Sequence, residues 1–280
     1  MRLIIAVPFF NTEENRRHFC VKRVLERLRE QVGLSHCVVP VDNGSTDTRC
    51  WEWLQEEEGF YPMRTPEPAS ISQGVNAGWR PWHDEMVRGE AIGVKFDSDM
   101  MADDGWVDAM VNAIMVNDTE TWDGQVLGLV GLHVQRHPDP PPKDAPRGPG
   151  GVIKVPFLHG ACMARTPIAF SAIGYEKHPF LPELLPENAD PDLPWGRWGY
   201  GDHWTVQRLN FAQFYCGMLD ILVRGVFGAG SLSREEKKEI IGVAHESLDR
   251  MVEMLDGGEI GPYQEYDGPE RVIHAFDSIG

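Results

Sequence analysis

The 280-residue chain has no apolar stretch approaching the roughly 20 residues a helix needs to cross a bilayer. Its opening MRLIIAVPFF is too short for a span or a secretion signal and is interrupted by Pro8, so a chain without a transmembrane segment is expected. Cysteine is sparse: Cys20, Cys37, Cys50, Cys162 and Cys216 include no CxxC pair. Their odd number and wide spacing argue against a disulfide framework and a structural zinc site, and a reducing, cytoplasmic setting is the expectation. Basic residues are also short, with 26 Lys and Arg against 43 Asp and Glu and a formal net charge of −17. That balance opposes non-specific binding to nucleic acid or to an anionic membrane. Neither an internal repeat nor a Gly-rich, basic phosphate loop near the N-terminus is present. What is there, 42% hydrophobic residues, suffices for one large core, with or without an appendage.

The chain alternates strand-like and helix-like segments. RLIIAVPFF is a continuous apolar run, the mark of a strand covered on both faces. In the next segment, Asn11 and Glu14 stand at capping-box spacing, Val24, Leu28 and Val32 form one helical stripe, and Gly33 suits a helix stop. HCVVPVDNGSTD adds a second strand ending in an Asn, Gly and Ser turn. A helix over 71–87, a strand over 91–96, a helix over 103–116 and a strand over 125–133 continue the pattern. Alternation of this kind predicts an α/β fold with a mostly parallel central sheet flanked by helices. Ligands of such sheets bind beyond the carboxyl ends of the strands. Residues 136–151 and 179–194 are Pro-rich loops. A helix opening at GDHW, a strand at GMLDILVRG, a long helix capped by Ser233 and a short strand RVIHAF complete the reading.

Three of the strand ends carry VPFFNTEEN, VDNGSTD and FDSDM; SQGVNAGW, FLHGACMARTPIAFSAIGY and WGYGDHWTVQRLN occur in that order with them. Together these segments resemble the family 2 glycosyltransferases with the GT-A fold, over residues 2–225. The resemblance implies a transferase domain at 1–230, with a nucleotide-binding half at about 1–100 and an acceptor half at about 101–230, followed by a helical extension at 231–280. It also implies an inverting transfer from a nucleotide-diphosphate sugar, a UDP-sugar by the uridine-type aspartate, to an acceptor hydroxyl.

In VKFDSDMMADDGW four aspartates lie between positions 97 and 104, a cluster that repels itself unless positive charge sits among it. Asp97 and Asp99, two apart on extended chain, share a face. Hard carboxylate oxygens there suit Mg²⁺ or Mn²⁺ with a nucleotide's phosphates as further ligands. The resemblance makes Asp99 the direct ligand and brings Asp97 closer to the ribose or to bridging water. Read alone, a DxD equally serves a turn or helix cap, and Asp103 and Asp104 suit the first turn of the next helix.

By the same resemblance Asp42 accepts from a pyrimidine N–H, Pro8, Phe9 and Asn11 frame the base, and Asn76 and Ser98 lie near the nucleotide. Gly160 and Ala161 lie where backbone approaches donor sugar and acceptor. Asp202 stands at the catalytic-base position, to take the acceptor's proton. Each has a plainer reading: Phe9 and Phe10 as core, Asp42 and Asp202 as caps, Asn76 as a surface amide. Trp195, Trp198, Tyr200 and Trp204 surround Asp202 in sequence, suited to stacking on a sugar or to core packing. His203 is expected at the surface, and Arg208 paired with an acidic neighbour.

One departure stands out. The stretch VRGVFGAGSLS lacks the histidine that many relatives use as a third metal ligand; His245, His159 and His133 are the alternatives, with water and diphosphate another. The acceptor class stays open among glycan, small molecule, protein and modified nucleobase. Competing functions are a sugar nucleotidyltransferase and a catalytically silent domain that only binds.

Overall fold

In the computed structural model, which describes residues 1–15, 17–118, 120–135, 144–177, 201–226 and 234–275, the first apolar run is the central strand β1 (Arg2–Phe9). Leu3 to Phe9 are all buried, because β1 is covered on both faces and paired in parallel on both edges. Its partners are β2 (Cys37–Asp42) and β4 (Ala91–Phe96), and β3 (Met63–Arg64) extends the parallel set beyond β2. Leu3, Ile5 and Val7 pack with Val21, Val24 and Leu28 of α1 (His18–Gln31) and with Met110 of α5 (Trp106–Asn117). Ile4 and Ala6 face the other way, toward Val75 and Trp79 of α3 (Ile71–Trp79). The period of two in β1 thus feeds two cores. At Gly78 an added Cβ would come within 2.9 Å of the Ala6 Cβ, so glycine there is what lets α3 lie directly on the sheet.

Among the described residues the sheet has ten strands and runs β10-β3-β2-β1-β4-β8-β6-β9-β5, with β7 also on β9. Its N-terminal half is parallel as expected. Beyond β4 it is mixed: β8 (Cys162–Arg165) is antiparallel to both β4 and β6 (Val126–Val134), β6 is parallel to β9 (Phe214–Gly225), and β5 (Met100–Ala102) and β7 (Ile153–Val155) are antiparallel to β9. The short strand expected near the C-terminus is β10 (Ile273–His274), an antiparallel edge on β3.

Several local expectations are corrected. The helix over 71–87 is α3, a 3₁₀ turn at Arg80–Trp82, and α4 (His83–Val87), because Pro81 has no N–H for a continuous helix. Asn11 caps nothing: α1 begins at His18, and the turn before it is closed by Thr12 and Asn15, whose side chains accept from each other's backbone N–H at 3.1 and 3.0 Å. The helix expected from 103 begins at Trp106, leaving Asp103 and Asp104 ahead of it. Helix α2 (Arg49–Glu56) and strands β3 and β5 have no counterpart in the sequence reading. Helices α6 (Pro167–Ile173), α7 (Gly201–Phe211) and α8 (Arg234–Asp256) follow; Ser233, the expected cap of α8, lies outside the described residues.

Candidate functional site

The parallel strands β1, β2 and β4 end on one edge of the sheet, and a cleft opens there. Pro8, Phe9 and Phe10 from the end of β1, Asn43 after β2, and Asp97, Ser98 and Asp99 after β4 line it, together with Asn15 and Arg17 of the loop leading to α1. Of the expected residues, Pro8, Phe9, Asp97, Ser98 and Asp99 are therefore brought together in one place.

Positive charge does sit among the aspartates, and the protein supplies it. Lys95 donates to Asp97 Oδ1 at 2.7 Å, Arg17 to Asp99 Oδ2 at 2.6 Å, Arg224 to Asp103 Oδ1 at 2.6 Å and Arg27 to Asp104 Oδ1 at 2.6 Å. The last two pairs replace the helix-dipole role expected of Asp103 and Asp104. Burial, and then the charge of Asp97, push the Asp99 carboxyl above the usual carboxylate value. The arrangement of Lys95 follows from local geometry: two residues before Asp97 on β4, it shares that residue's face.

Lys95 also donates to the Gly160 carbonyl, while the Gly160 N–H donates to Asp202 Oδ2 at 2.9 Å. One ammonium and one glycine peptide thus join the DxD segment to the first turn of α7. A Cβ at Gly160 would stand 3.0 Å from both Asp202 Oδ2 and Lys95 Nζ, so the residue type is dictated by the approach. Burial alone would lower the Lys95 pKa, but the charges of Asp97 and Asp202 outweigh it, and the ammonium is held above the usual lysine value. At Asp202 burial acts upward; the hydrogen bond from His203 and the charges of Lys95, His203 and His159 outweigh it and leave the carboxyl below its usual value. His203 is half-buried, with its ring 4.1 Å from that of Phe157 and 6.4 Å from that of His245.

Beside the cleft, Asp42 is fully buried. Its Oδ1 accepts from Ser45 N at 2.8 Å, and Oδ2 lies 3.4 Å from Arg64 Nε without a hydrogen bond. Burial drives its carboxyl upward against the Ser45 bonds and the Arg64 charge. Asn11 is equally buried; its backbone N–H donates to Ser45 Oγ at 2.8 Å, yet neither polar atom of its side chain has a partner among the described residues. Such orphaned groups are costly unless something else satisfies them.

Asn76 departs from expectation. Its Nδ2 donates to the carbonyls of Glu176 and Asp267 at 2.8 Å each, and its Oδ1 accepts from Glu176 N at 2.8 Å. Both amide protons are thereby spent on backbone, which makes it a tie between α3 and the later chain rather than a nucleotide contact. Arg208 also differs. Instead of an acidic partner it holds the carbonyls of Ile173 at 2.8 Å and Tyr175 at 3.0 Å, and burial, then the charge of Arg165, bring its pKa down to about 9. Arg165 in turn pairs with Glu176 Oε1 at 2.5 Å, whose Oε2 accepts from Thr205 Oγ1 at 2.9 Å. Ala161 is fully buried at the start of β8, its carbonyl accepting from Asp97 N at 2.8 Å. Trp204 is buried against Leu248, Met251 and Leu255 of α8, hence core rather than a stacking platform. Trp195, Trp198 and Tyr200 lie outside the described residues.

Two carboxylates that each commit one oxygen to a cation, at the mouth of a cleft, fit a hard divalent ion that takes most of its ligands from phosphate and water. Among the described residues, no group of three or more His, Cys, Asp or Glu side chains is placed to hold a metal by itself. His133 stands near Asp220 at 3.8 Å, His159 donates no ligand to such a group, and His245 is exposed beside His203. Sequence reasoning missed Arg17 and Lys95. Their signals were an arginine pair in the sequence ahead of the first helical stripe and a lysine interrupting an otherwise apolar central strand.

No family model and no curated protein matches the chain. Likeness is found among solved structures. S. aureus TarS residues 1–349 in complex with UDP-GlcNAc superposes with a TM-score of 0.55 at 13% identity, over 88% of this chain and 66% of that one. The same segment in complex with UDP gives 0.51 at 14% identity, over 88% and 65%. The chain therefore spans just under two thirds of the TarS segment. At such identity the likeness speaks for the fold, an α/β sheet flanked by helices.

Proposed function

We propose that this chain is a metal-dependent inverting glycosyltransferase of family 2 type, which moves a sugar from a nucleotide diphosphate, a UDP-sugar, to an acceptor hydroxyl. The observation that carries the reading is the convergence of Asp97 and Asp202 on Lys95 and Gly160: a diphosphate-side carboxylate and a base lie on either side of one ammonium. The complexes of S. aureus TarS with UDP-GlcNAc and UDP support the donor class. The transferase unit takes in residues 1–230, and the later chain is joined to it: α8 packs against α7 through Trp204 and β10 pairs with β3, so 231–280 is not a purely helical extension.

In this reading Asp42 and Asn11 offer the orphaned polar atoms to the base, with Pro8 and Phe9 as its walls. Ser98, Gly160 and Ala161 border the sugar, and Asp97 and Asp99 would hold Mn²⁺ or Mg²⁺. Such an ion, when bound, supplies charge to offset the leaving diphosphate. Asp202 accepts the acceptor's proton as its oxygen attacks the anomeric carbon from the face opposite the diphosphate. Its lowered pKa keeps it ionised, and the Gly160 N–H fixes one oxygen so that the other faces His203. A single displacement of this kind needs no covalent intermediate.

The test is nucleotide release from a panel of nucleotide sugars with Mn²⁺, on wild type and Asp202→Asn. Release of UDP by the wild type, abolished in the variant with UDP affinity kept, is expected; pyrophosphate as the product would mean a nucleotidyltransferase, and inactivity throughout a binding domain.

A further inference from the structure

Among the described residues three cations stand at or beside the candidate site, and they differ in how firmly they are committed. Lys95 is only 12% exposed and is shared between Asp97 and the Gly160 carbonyl. Arg64 donates to the Ser45 carbonyl at 2.9 Å and stands beside buried Asp42. Arg17 is different. It sits in the loop before α1, is 26% exposed, lines the cleft, and among the described residues its guanidinium makes one hydrogen bond, from Nη2 to Asp99 Oδ2. A guanidinium carries five N–H donors in a fork that fits carboxylate and phosphate oxygens equally well.

We propose that Arg17 binds the diphosphate of the nucleotide donor and that Asp99 is where the guanidinium is stored until a nucleotide arrives. This rests on the donor reading above and adds a residue to it. The exchange is one of partners, with no covalent step. Arg17 leaves one anion for another, so its charge stays compensated, and the Asp99 oxygen it covered becomes free for a divalent cation. Without the exchange, Asp99 would offer a cation a carboxylate already neutralised at 2.6 Å. Coupling the two events makes nucleotide and cation bind better together than apart, as two ligands favouring the same arrangement must. The device also suits a chain of net charge −17, which otherwise has little to attract a diphosphate.

Calorimetric titration of UDP, GDP, uridine and guanosine in chelator, and of Mn²⁺ alone, into wild type, Arg17→Ala, Asp99→Asn and the double variant tests this. Loss of a charge-assisted hydrogen bond in Arg17→Ala should weaken the diphosphate by roughly tenfold and leave the nucleoside within about twofold. Mn²⁺ alone should bind Arg17→Ala more tightly than wild type, because its competitor is gone. Asp99→Asn should strengthen UDP in chelator, and that gain should vanish in the double variant, the signature of a coupled pair. Equal losses for nucleotide and nucleoside, an unchanged Mn²⁺ affinity, or a gain from Asp99→Asn that persists without Arg17 would each overturn the inference. Failure of wild type to bind either nucleotide, in chelator and again with Mn²⁺ present, would take the donor reading with it; normal binding unaffected by Arg17→Ala would sink the inference alone.

Discussion

Lys95 is a charged residue on a strand whose other side chains are apolar, and it is held there by two carboxylates and a carbonyl. Replacing it by Met should leave Asp97 and Asp202 facing each other uncompensated, costing about 3 kcal/mol in urea unfolding and abolishing turnover; stability equal to wild type would rule out the counter-ion role. Gly160→Ala places a methyl 3.0 Å from Asp202 Oδ2, so sugar transfer should fall while UDP affinity measured by calorimetry stays. Asp42 tests the opposite trade. Its folded pKa lies above the unfolded value, so the native state binds the proton more strongly and loses stability as pH rises through that window. At neutral pH Asp42→Asn removes this cost, and the variant should melt higher than wild type without nucleotide yet bind UDP more weakly. Asp202 runs the other way: with a lowered folded pKa it contributes stability above its ordinary value and loses it only as pH falls through the lower one. Hence a fall in kcat between pH 7 and 5 would not come from its protonation.

At the scale of elements, α7 carries Asp202 and is held by α8 through Trp204, Leu248, Met251 and Leu255. Leu255→Ala, a large-to-small change at 2% exposure, should cost about 3 kcal/mol, seen in urea unfolding, and reduce transfer more than nucleotide binding, since the cleft proposed for the nucleotide lies at β1, β2 and β4. Equal losses of both would mean that α8 supports the whole sheet. Elements also show where reading residues in sequence succeeds. The strands β1, β2 and β4 were legible because continuous apolar runs of that length have few other uses. The break at Pro81 and the late start of α5 after Gly105 escape a reading by periodicity, because one proline or glycine bounds a helix without altering the apolar period around it. Strands β3 and β5, two and three residues long, carry too few residues to show any period.

For the molecule as a whole, the sheet changes character at β4. The parallel half follows from alternating strand and helix, while the mixed half brings β8 between β4 and β6 and so delivers Gly160 to Lys95. Among the described residues, no helix is long and apolar enough to cross a membrane. A nucleotide that binds only the folded state should raise the melting temperature; at a hundredfold excess over its Kd the gain is about 2.7 kcal/mol, and a thermal-shift series of nucleotides with and without Mn²⁺ reads it directly. An additional shift from Mn²⁺ that wild type shows and Asp99→Ala lacks would tie the cation to that carboxylate.

The amino-acid order by itself determined the α/β class and the strand ends that carry Asp42, Asp97 and Asp99, because hydrophobic periodicity and residue spacing are local properties; Asp202 became a candidate only through the resemblance of WGYGDHWTVQRLN to a family segment. Only the tertiary structure decided who neutralises the aspartates and which polar groups are spent. Arg17 and Asp99 are far apart in sequence, as are Asn76 and Glu176 or Gly160 and Asp202. Coulomb energy and hydrogen bonding depend on distance through space, and that distance exists only once β4, β8 and α7 have packed.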